Sequence, residues 1–279
     1  MLPLKRVIKN FCVNFYNYLQ MYFFVIKSLK KGAIMKDIYK YNIRYDEVDM
    51  DDTLKPVALM NFLQDVASLN ANEKDFGSDF VFSHGLAWFV LKYRVEIYDY
   101  DKNIKELVVK TCSRGAAKLF AYRDFDVFQG EKLIARATSQ WGLVDFNSKK
   151  MLPPLDIFKN IPQYEKREDD LKFDKIPDVS APVAIREFEV SYDDLDVNKH
   201  VNNVRYLHWA LETLDYDYRK SHEVNTIDIY YKKEISFGGH VVSEIEFSEN
   251  QEYSIHRIKN ADTDEILCSI KIGWQKNDK

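Results

Sequence analysis

The ten residues from Asp194 to Asn203, DLDVNKHVNN, carry two aspartates, three asparagines and a histidine, with Leu195, Val197 and Val201 as the apolar interruptions. In an extended stretch, alternate residues Asp196, Asn198 and His200 project to one side. A carboxylate there can hold one ring N–H of the histidine and fix its tautomer, which frees the other nitrogen to move a proton. The Asn198 amide can orient the ring, a substrate or a water. An apolar repeat follows at once, Val201, Val204, Leu207, Leu211 and Leu214, stepping by three or four as a helix with one buried stripe does. The start of that helix presents unpaired N–H groups and a positive dipole end. Donors of this kind suit a carbonyl oxygen turning into an oxyanion, where each lowers the barrier by about 2.7–4 kcal/mol. Metal chemistry fits less well. As a calcium loop the string has Lys199 at the glycine position and Arg205 where the bidentate glutamate belongs. One histidine among carboxylates is also short of the three protein ligands of catalytic zinc.

The frame around this string occurs twice. YDEVDMDDTLKPVALMNFLQDVA (Tyr45–Ala67) aligns without a gap on YDDLDVNKHVNNVRYLHWALETL (Tyr192–Leu214). Tyr45, Asp46 and Asp49 fall on Tyr192, Asp193 and Asp196, and the first copy has its own helical stripe, Leu59, Phe62, Leu63, Val66 and Leu69. Asn198 faces Asp51 and His200 faces Thr53, so the scaffold is shared while the imidazole appears once. A helix cap needs no histidine, which favours chemistry for His200. Asp196 has a plain alternative role, since its counterpart Asp49 sits in a copy without a histidine: it can simply brace the turn. Asn202 and Asn203 read as caps. His84, His208, His222, His240 and His256 lack such company and read as structural or exposed.

After each helix come segments rich in Val, Ile, Phe, Tyr and Thr, the composition of strands. They span 86–98, 107–114, 117–128 and 133–146 in one half, and 226–236, 241–249, 251–259 and 265–274 in the other. Trp141 and Trp274 lie near the end of the last strand of each half. A long helix and a meander of strands, twice over, predict a duplicated α+β protein. The boundaries are 35–155 for the first domain, 156–185 for a charged, proline-containing linker, and 186–279 for the second domain. Residues 1–34 stand apart. Their apolar run from Phe11 to Ile26 is broken by Asn14, Asn17 and Gln20 and falls short of the about 18–20 apolar residues of a spanning helix. They read as an extension upstream of a misassigned start at Met35, with a membrane-touching amphipathic segment as the alternative. No stable membrane insertion is expected. A net charge of −4 and no aromatic–basic stripe argue against nucleic acid. Three distant cysteines, Cys12, Cys112 and Cys268, without a CxxC pair argue against a zinc site and a disulfide framework, and for a cytoplasmic protein.

The order of elements, the Asp-x-Asn-x-His-Val-Asn-Asn string and the later YKKE (Tyr231–Glu234) resemble the plant-type and bacterial acyl-acyl carrier protein thioesterases, over about residues 36–279. The resemblance implies a tandem double hotdog, each half a long helix wrapped by a curved antiparallel sheet. It implies hydrolysis of a fatty acyl thioester carried by acyl carrier protein, ending chain elongation, without metal or cofactor. Carried over residue by residue, the catalytic set is Asp196, Asn198, His200 and Glu234; Glu234 rests on the resemblance alone, since in YYKKEIS it would otherwise read as a solvated strand residue paired with Lys232 or Lys233. The chain departs from the plant members at Ile235, where they carry a cysteine. A thiol nucleophile is thereby excluded at that position, and water activated by Glu234 and His200 together is favoured over an anhydride on Glu234.

The second half is expected to catalyse. The first half, with Leu59, Phe62, Leu63 and Val66 on its helix and Trp88, Phe89, Phe120 and Tyr122 on its strands, is expected to line the acyl tunnel, although ordinary core is the simpler account for most of them. The carrier protein is acidic, so a local Lys/Arg cluster is expected to dock it. An acyl-coenzyme A thioesterase, a hotdog enoyl-thioester hydratase and a non-catalytic acyl-binding module remain as alternatives, and monomer and homodimer both fit. The hydratases space their aspartate and histidine by five positions, against four from Asp196 to His200.

Overall fold

The structure, a computed structural model, describes residues 36–99, 102–197 and 199–277. The expectations for residues 1–34 and for Asn198 fall outside these described residues. All elements below belong to the unit Asp37–Lys279.

The first half runs β1 (Asp37–Asn42), helix α1 (Pro56–Glu73), a short α2 (Ser78–Ser83), then β2 (Leu86–Ile97), β3 (Glu106–Ala117), β4 (Phe120–Gln129) and β5 (Lys132–Asp145). A small β6 (Met151–Leu152) and the turn-like α3 (Pro154–Ile157) lead out of it. The second half repeats the order with β7 (Ala184–Glu189), α4 (Asn203–Glu212), a short α5 (Tyr216–Ser221), β8 (His222–Tyr231), β9 (His240–Phe247), β10 (Tyr253–Asn260) and β11 (Ile266–Lys276). Among the described residues one antiparallel sheet takes the order β1-β3-β4-β5-β2-β8-β11-β10-β9-β7, with β6 on β5. That order reads the same from either end when each strand is replaced by its partner in the other half. The duplication is therefore an architectural fact, and the fold is the α+β double hotdog.

The halves join through β2 and β8, whose register sets Arg94 opposite Asp228. Arg94 Nη1 donates to Asp228 Oδ2 at 2.5 Å across this seam, where Asp228 is fully buried. Each long helix lays its apolar stripe on the sheet. Pro56 begins α1, since a missing N–H costs nothing at the first helical position, and Leu59, Leu63 and Val66 are completely buried against the strands. Leu69, expected on that stripe, is exposed instead; buried Asn70 takes the inward position one residue on. In α4 the stripe Val204, Leu207 and Leu211 is buried as the period predicts.

Two differences from the expected strands bear on function. β1 and β7, the edge strands, carry only exposed and half-exposed side chains and so lack the apolar run that marks the inner strands. The segment expected as strand 226–236 ends at Tyr231. The N–H groups of Lys232 and Lys233 both reach the Leu267 carbonyl, at 2.8 and 3.1 Å, and the chain then leaves the sheet. Among the described residues no helix is long and apolar enough to cross a membrane.

Candidate active site

The turn before α4 is built twice. A 3-10 turn, Tyr192–Asp194, leads into it, as Tyr45–Glu47 does in the first half. Asp196 N–H donates to the His200 carbonyl at 2.8 Å, and Asp49 N–H to the Thr53 carbonyl at the same 2.8 Å. Asp196 Oδ1 accepts from the His200 N–H at 3.4 Å, and Asp49 Oδ1 from the Thr53 N–H at 3.0 Å. Lys199 and Asp52 take matching left-handed conformations, φ 65° and 60°. The bracing role of Asp196 is thus visible in its counterpart. Asn202 Oδ1 caps the helix by accepting from Val204 N–H at 3.0 Å, while Asn203 is the first helical residue.

What the second half adds lies across from this turn. Val201 N–H donates to the Ile235 carbonyl at 3.1 Å and His200 bridges to Ser236, so the stretch released from β8 is stitched to the turn. That stitching carries Glu234 to the histidine: His200 Nε2 and Glu234 Oε2 are 3.5 Å apart, both side chains partly exposed. The distance is in ion-pair range and longer than a strong hydrogen bond. Lys233 pairs with Glu265 and leaves Glu234 to the imidazole. Burial, foremost, and the Asp196 charge push the Glu234 carboxyl above its ordinary value, while His200 and Lys149 pull the other way. Lys149, at the β5–β6 turn of the first half, was not singled out in the sequence, where nothing distinguishes it from other surface lysines. Tyr206 is a second neighbour that the sequence did not suggest. It is buried beneath the site, and its phenol is pushed up by burial, then by Cys268 and Glu234.

Neither described cysteine sits at this site in a reactive setting. Cys112 and Cys268 are both buried, and burial pushes the Cys268 thiol well above its normal range. A reactive thiol needs the opposite environment.

A cavity of about 590 Å³ opens beside the turn. Leu195, Asp196, Val197, Asn202 and Asn203 of the second half wall it at one side, and the rest of its wall comes from the first half and, at Ile161, from the segment between the halves. Trp88, Tyr122 and Trp141 line it, as do Phe76 and Val81 around α2. Leu59, Phe62, Leu63 and Val66 do not. The expectation that they face the cavity is corrected: they form the stripe of α1 pressed on the sheet, and their burial there stabilises the fold by about 1.5–3 kcal/mol each. The cavity meets another side of the helix, at Asn61, Gln64, Ser68 and Ala71. Phe89 and Phe120 are also absent from its wall.

Sequence models of two consecutive domains match the chain: the acyl-ACP thioesterase N-terminal domain over residues 36–160, and the acyl-ACP thioesterase C-terminal domain over residues 180–276. The chain belongs to the acyl-ACP thioesterase family. Among curated relatives, an oleoyl-acyl carrier protein thioesterase of Coriandrum sativum is 25% identical over 231 residues, covering 75% of this chain and 63% of the relative. A palmitoyl-acyl carrier protein thioesterase of Gossypium hirsutum is 28% identical over 229 residues, covering 75% of this chain and 55% of the relative. The chain therefore spans less than two thirds of the length of these family members. Among solved structures, an acyl-ACP thioesterase from Bacteroides thetaiotaomicron has a TM-score of 0.75 at 22% identity, covering 86% of this chain and 98% of that one. The 12:0-ACP thioesterase from Umbellularia californica has a TM-score of 0.76 at 20% identity, with 87% and 98% covered. At these identities the structural likeness establishes the shared double-hotdog fold.

Proposed function

We propose that this acyl-ACP thioesterase family member hydrolyses a fatty acyl thioester presented by acyl carrier protein, releasing the free fatty acid and ending chain elongation. The observation that carries the reading is the His200–Glu234 contact of 3.5 Å, made from the turn whose Asp196, Val197 and Asn202 wall the cavity, although His200 and Glu234 themselves are not part of that wall. In this reading the second half cleaves and the first half holds the acyl chain, in a protein of the cytoplasm, as three cysteines far apart in sequence without a CxxC pair suggest.

The chemistry follows from the placement. A carboxylate with a raised pKa is a stronger base than an ordinary one, which suits Glu234 to take a proton from water, with His200 as partner in the transfer. The water oxygen bonds to the thioester carbonyl carbon, and the carbonyl oxygen gains the negative charge. The N-terminus of α4 faces that charge. Asn202 already occupies two of its amides, Val204 N–H through its side chain and Arg205 N–H through its carbonyl, so the Asn203 N–H is the donor assigned to the oxyanion. The carbon–sulfur bond then breaks, the proton passes through His200 to the sulfur, and acid and thiol leave. Asp196 holds the His200 main chain in place, and Asn198 is assigned to orienting the ring or the water. A nucleophilic thiol has no part in this scheme.

The test is free-thiol release by purified protein against matched panels of acyl-carrier and acyl-coenzyme A thioesters, with an enoyl thioester included. Thiol release from the saturated acyl-carrier panel is expected. Release confined to coenzyme A thioesters would move the donor, hydration of the enoyl double bond without thiol release would make the protein a hydratase, and binding without either reaction would make it a non-catalytic acyl-binding module.

A further inference from the structure

The segment between the two halves is docked on the first. Ala116 N–H donates to the Pro162 carbonyl, and Tyr164 N–H donates back to the Ala116 carbonyl, both at 2.9 Å, closing a parallel bridge between Ala116 and Gln163. The approach is so close that a Cβ on Gly115 would lie 2.3 Å from the Pro162 carbonyl oxygen, and Gly115 has φ +90°. Only glycine takes that place without strain. Further along, buried Arg114 binds the Asp170 carboxylate at 2.6 Å and the Glu165 carbonyl at 3.0 Å, and the Tyr164 hydroxyl reaches the same Asp170 at 2.8 Å.

One side chain of this docked segment enters the cavity wall: Ile161, which is buried in a satellite core with Phe76, Val81 and Ala121. Just before it, Phe158 stacks on Trp88 with ring centroids 5.6 Å apart, and the Trp88 indole N–H is anchored to the Phe76 carbonyl at 2.7 Å. The reaction-side wall, Asp196, Val197 and Asn202, belongs to the other half and shares no residue with this cluster.

We propose that Ile161 is the length gauge of the acyl cavity, the side chain that the far end of the fatty chain meets. The proposal rests on the thioesterase reading and deepens it. Two physical features make Ile161 a stop rather than a yielding wall. Its backbone cannot retreat, because the next three residues are paired to β3. Its β-branched side chain has few χ1 alternatives. An apolar chain that reaches Ile161 gains from each methylene up to that point and loses beyond it, and a buried methylene changes kcat/KM about fourfold.

Ile161→Ala and Ile161→Trp are compared with the unaltered protein across saturated acyl-carrier thioesters of graded length. Thermal stabilisation by free fatty acids of the same lengths serves as a readout independent of turnover. Ile161→Val and Ile161→Met extend the series with smaller changes in core volume, so the axis remains measurable if an extreme variant fails to fold. The alanine variant is expected to raise the longest well-accepted chain by about two carbons, as the vacated space admits about that many methylenes. The tryptophan variant is expected to lower it, so the ratio of rates on long against short chains should shift in opposite senses in the two variants. An unchanged length profile in all variants, or a uniform loss at every length, overturns the gauge while leaving hydrolysis standing. Absence of thiol release with a shifted fatty-acid profile overturns hydrolysis and leaves the gauge standing.

Discussion

The turns Asp49–Thr53 and Asp196–His200 share their closing hydrogen bonds, a bracing aspartate and a left-handed residue, yet they open onto different surroundings. The second adjoins the large cavity. The first, with Asp49, Asp51 and Thr53, adjoins a hollow of only about 70 Å³ walled by residues of the other half, among them Arg219, His222, Trp274 and Asn277. Packing keeps this hollow small. Tyr218 stacks on His222 and meets Trp274 edge-on, and Asn277 closes over it through hydrogen bonds to the carbonyls of Ser221 and Lys220. Two sites of one architecture therefore differ in three things: an imidazole, a carboxylate brought opposite it, and empty space. The bracing hydrogen bonds belong to the scaffold, and those three additions belong to the proposed chemistry.

The comparison can be broken most sharply by making the turns alike. His200→Thr installs the residue that the first turn already carries on the same backbone. Thiol release is expected to fall about 10²- to 10⁴-fold. The melting temperature should hardly move, because residue 200 enters the bonds of the turn through its main chain and not through its side chain. Turnover within a few-fold of the unaltered protein would remove His200 from the reaction.

Glu234→Gln sharpens the contrast through pH. The carboxyl must be ionised to accept a proton, and its pKa is raised, so the acid limb of kcat/KM should lie above the ordinary carboxylate range and vanish in the variant. Stability should move in the opposite sense to activity. A carboxyl whose folded pKa exceeds its unfolded value is costly to ionise in the fold, so the unaltered protein gives up stability as pH rises through the folded pKa. The glutamine variant is then the more stable at neutral pH. That advantage should shrink as pH falls and disappear below the unfolded pKa, where both side chains are neutral. Denaturant titrations of the two proteins at several pH values check this, and a variant less stable at neutral pH would contradict it.

The smallest effect on turnover is expected from the sites that neither turn uses. Cys112→Ala together with Cys268→Ala should cost stability, since both thiols are buried in the core, but keep kcat within a few-fold. Lost turnover in a protein that melts normally would restore a thiol mechanism.

The duplication, the helical stripes and the string around His200 were legible in the chain because each follows a local rule: a period of three or four, a strand composition, or a fixed spacing of polar groups. The helix α4 and the inner strands fell close to where those rules put them. The edge strands β1 and β7 were missed because a half-exposed strand carries little apolar signal. Leu69 was misplaced because a periodic pattern cannot report that a buried asparagine, Asn70, takes the neighbouring inward position. It bonds Asp37 at 2.7 Å and accepts from Arg123 at 2.7 Å.

The pairing of a charged string with a duplicated scaffold, and the candidacy of His200, were already written in residue order, because side-chain chemistry and helical period are local properties. Which carboxylate faces the ring, named beforehand through the family resemblance alone, which side of α1 meets open space, and that a segment read as a linker lays Ile161 into the cavity wall could not be. Each of these depends on contacts between residues far apart in the chain. Glu234 reaches His200 because the chain beyond β8 breaks from the sheet and pairs with Val201, and Ile161 reaches the cavity because Gly115 lets a distant carbonyl come close.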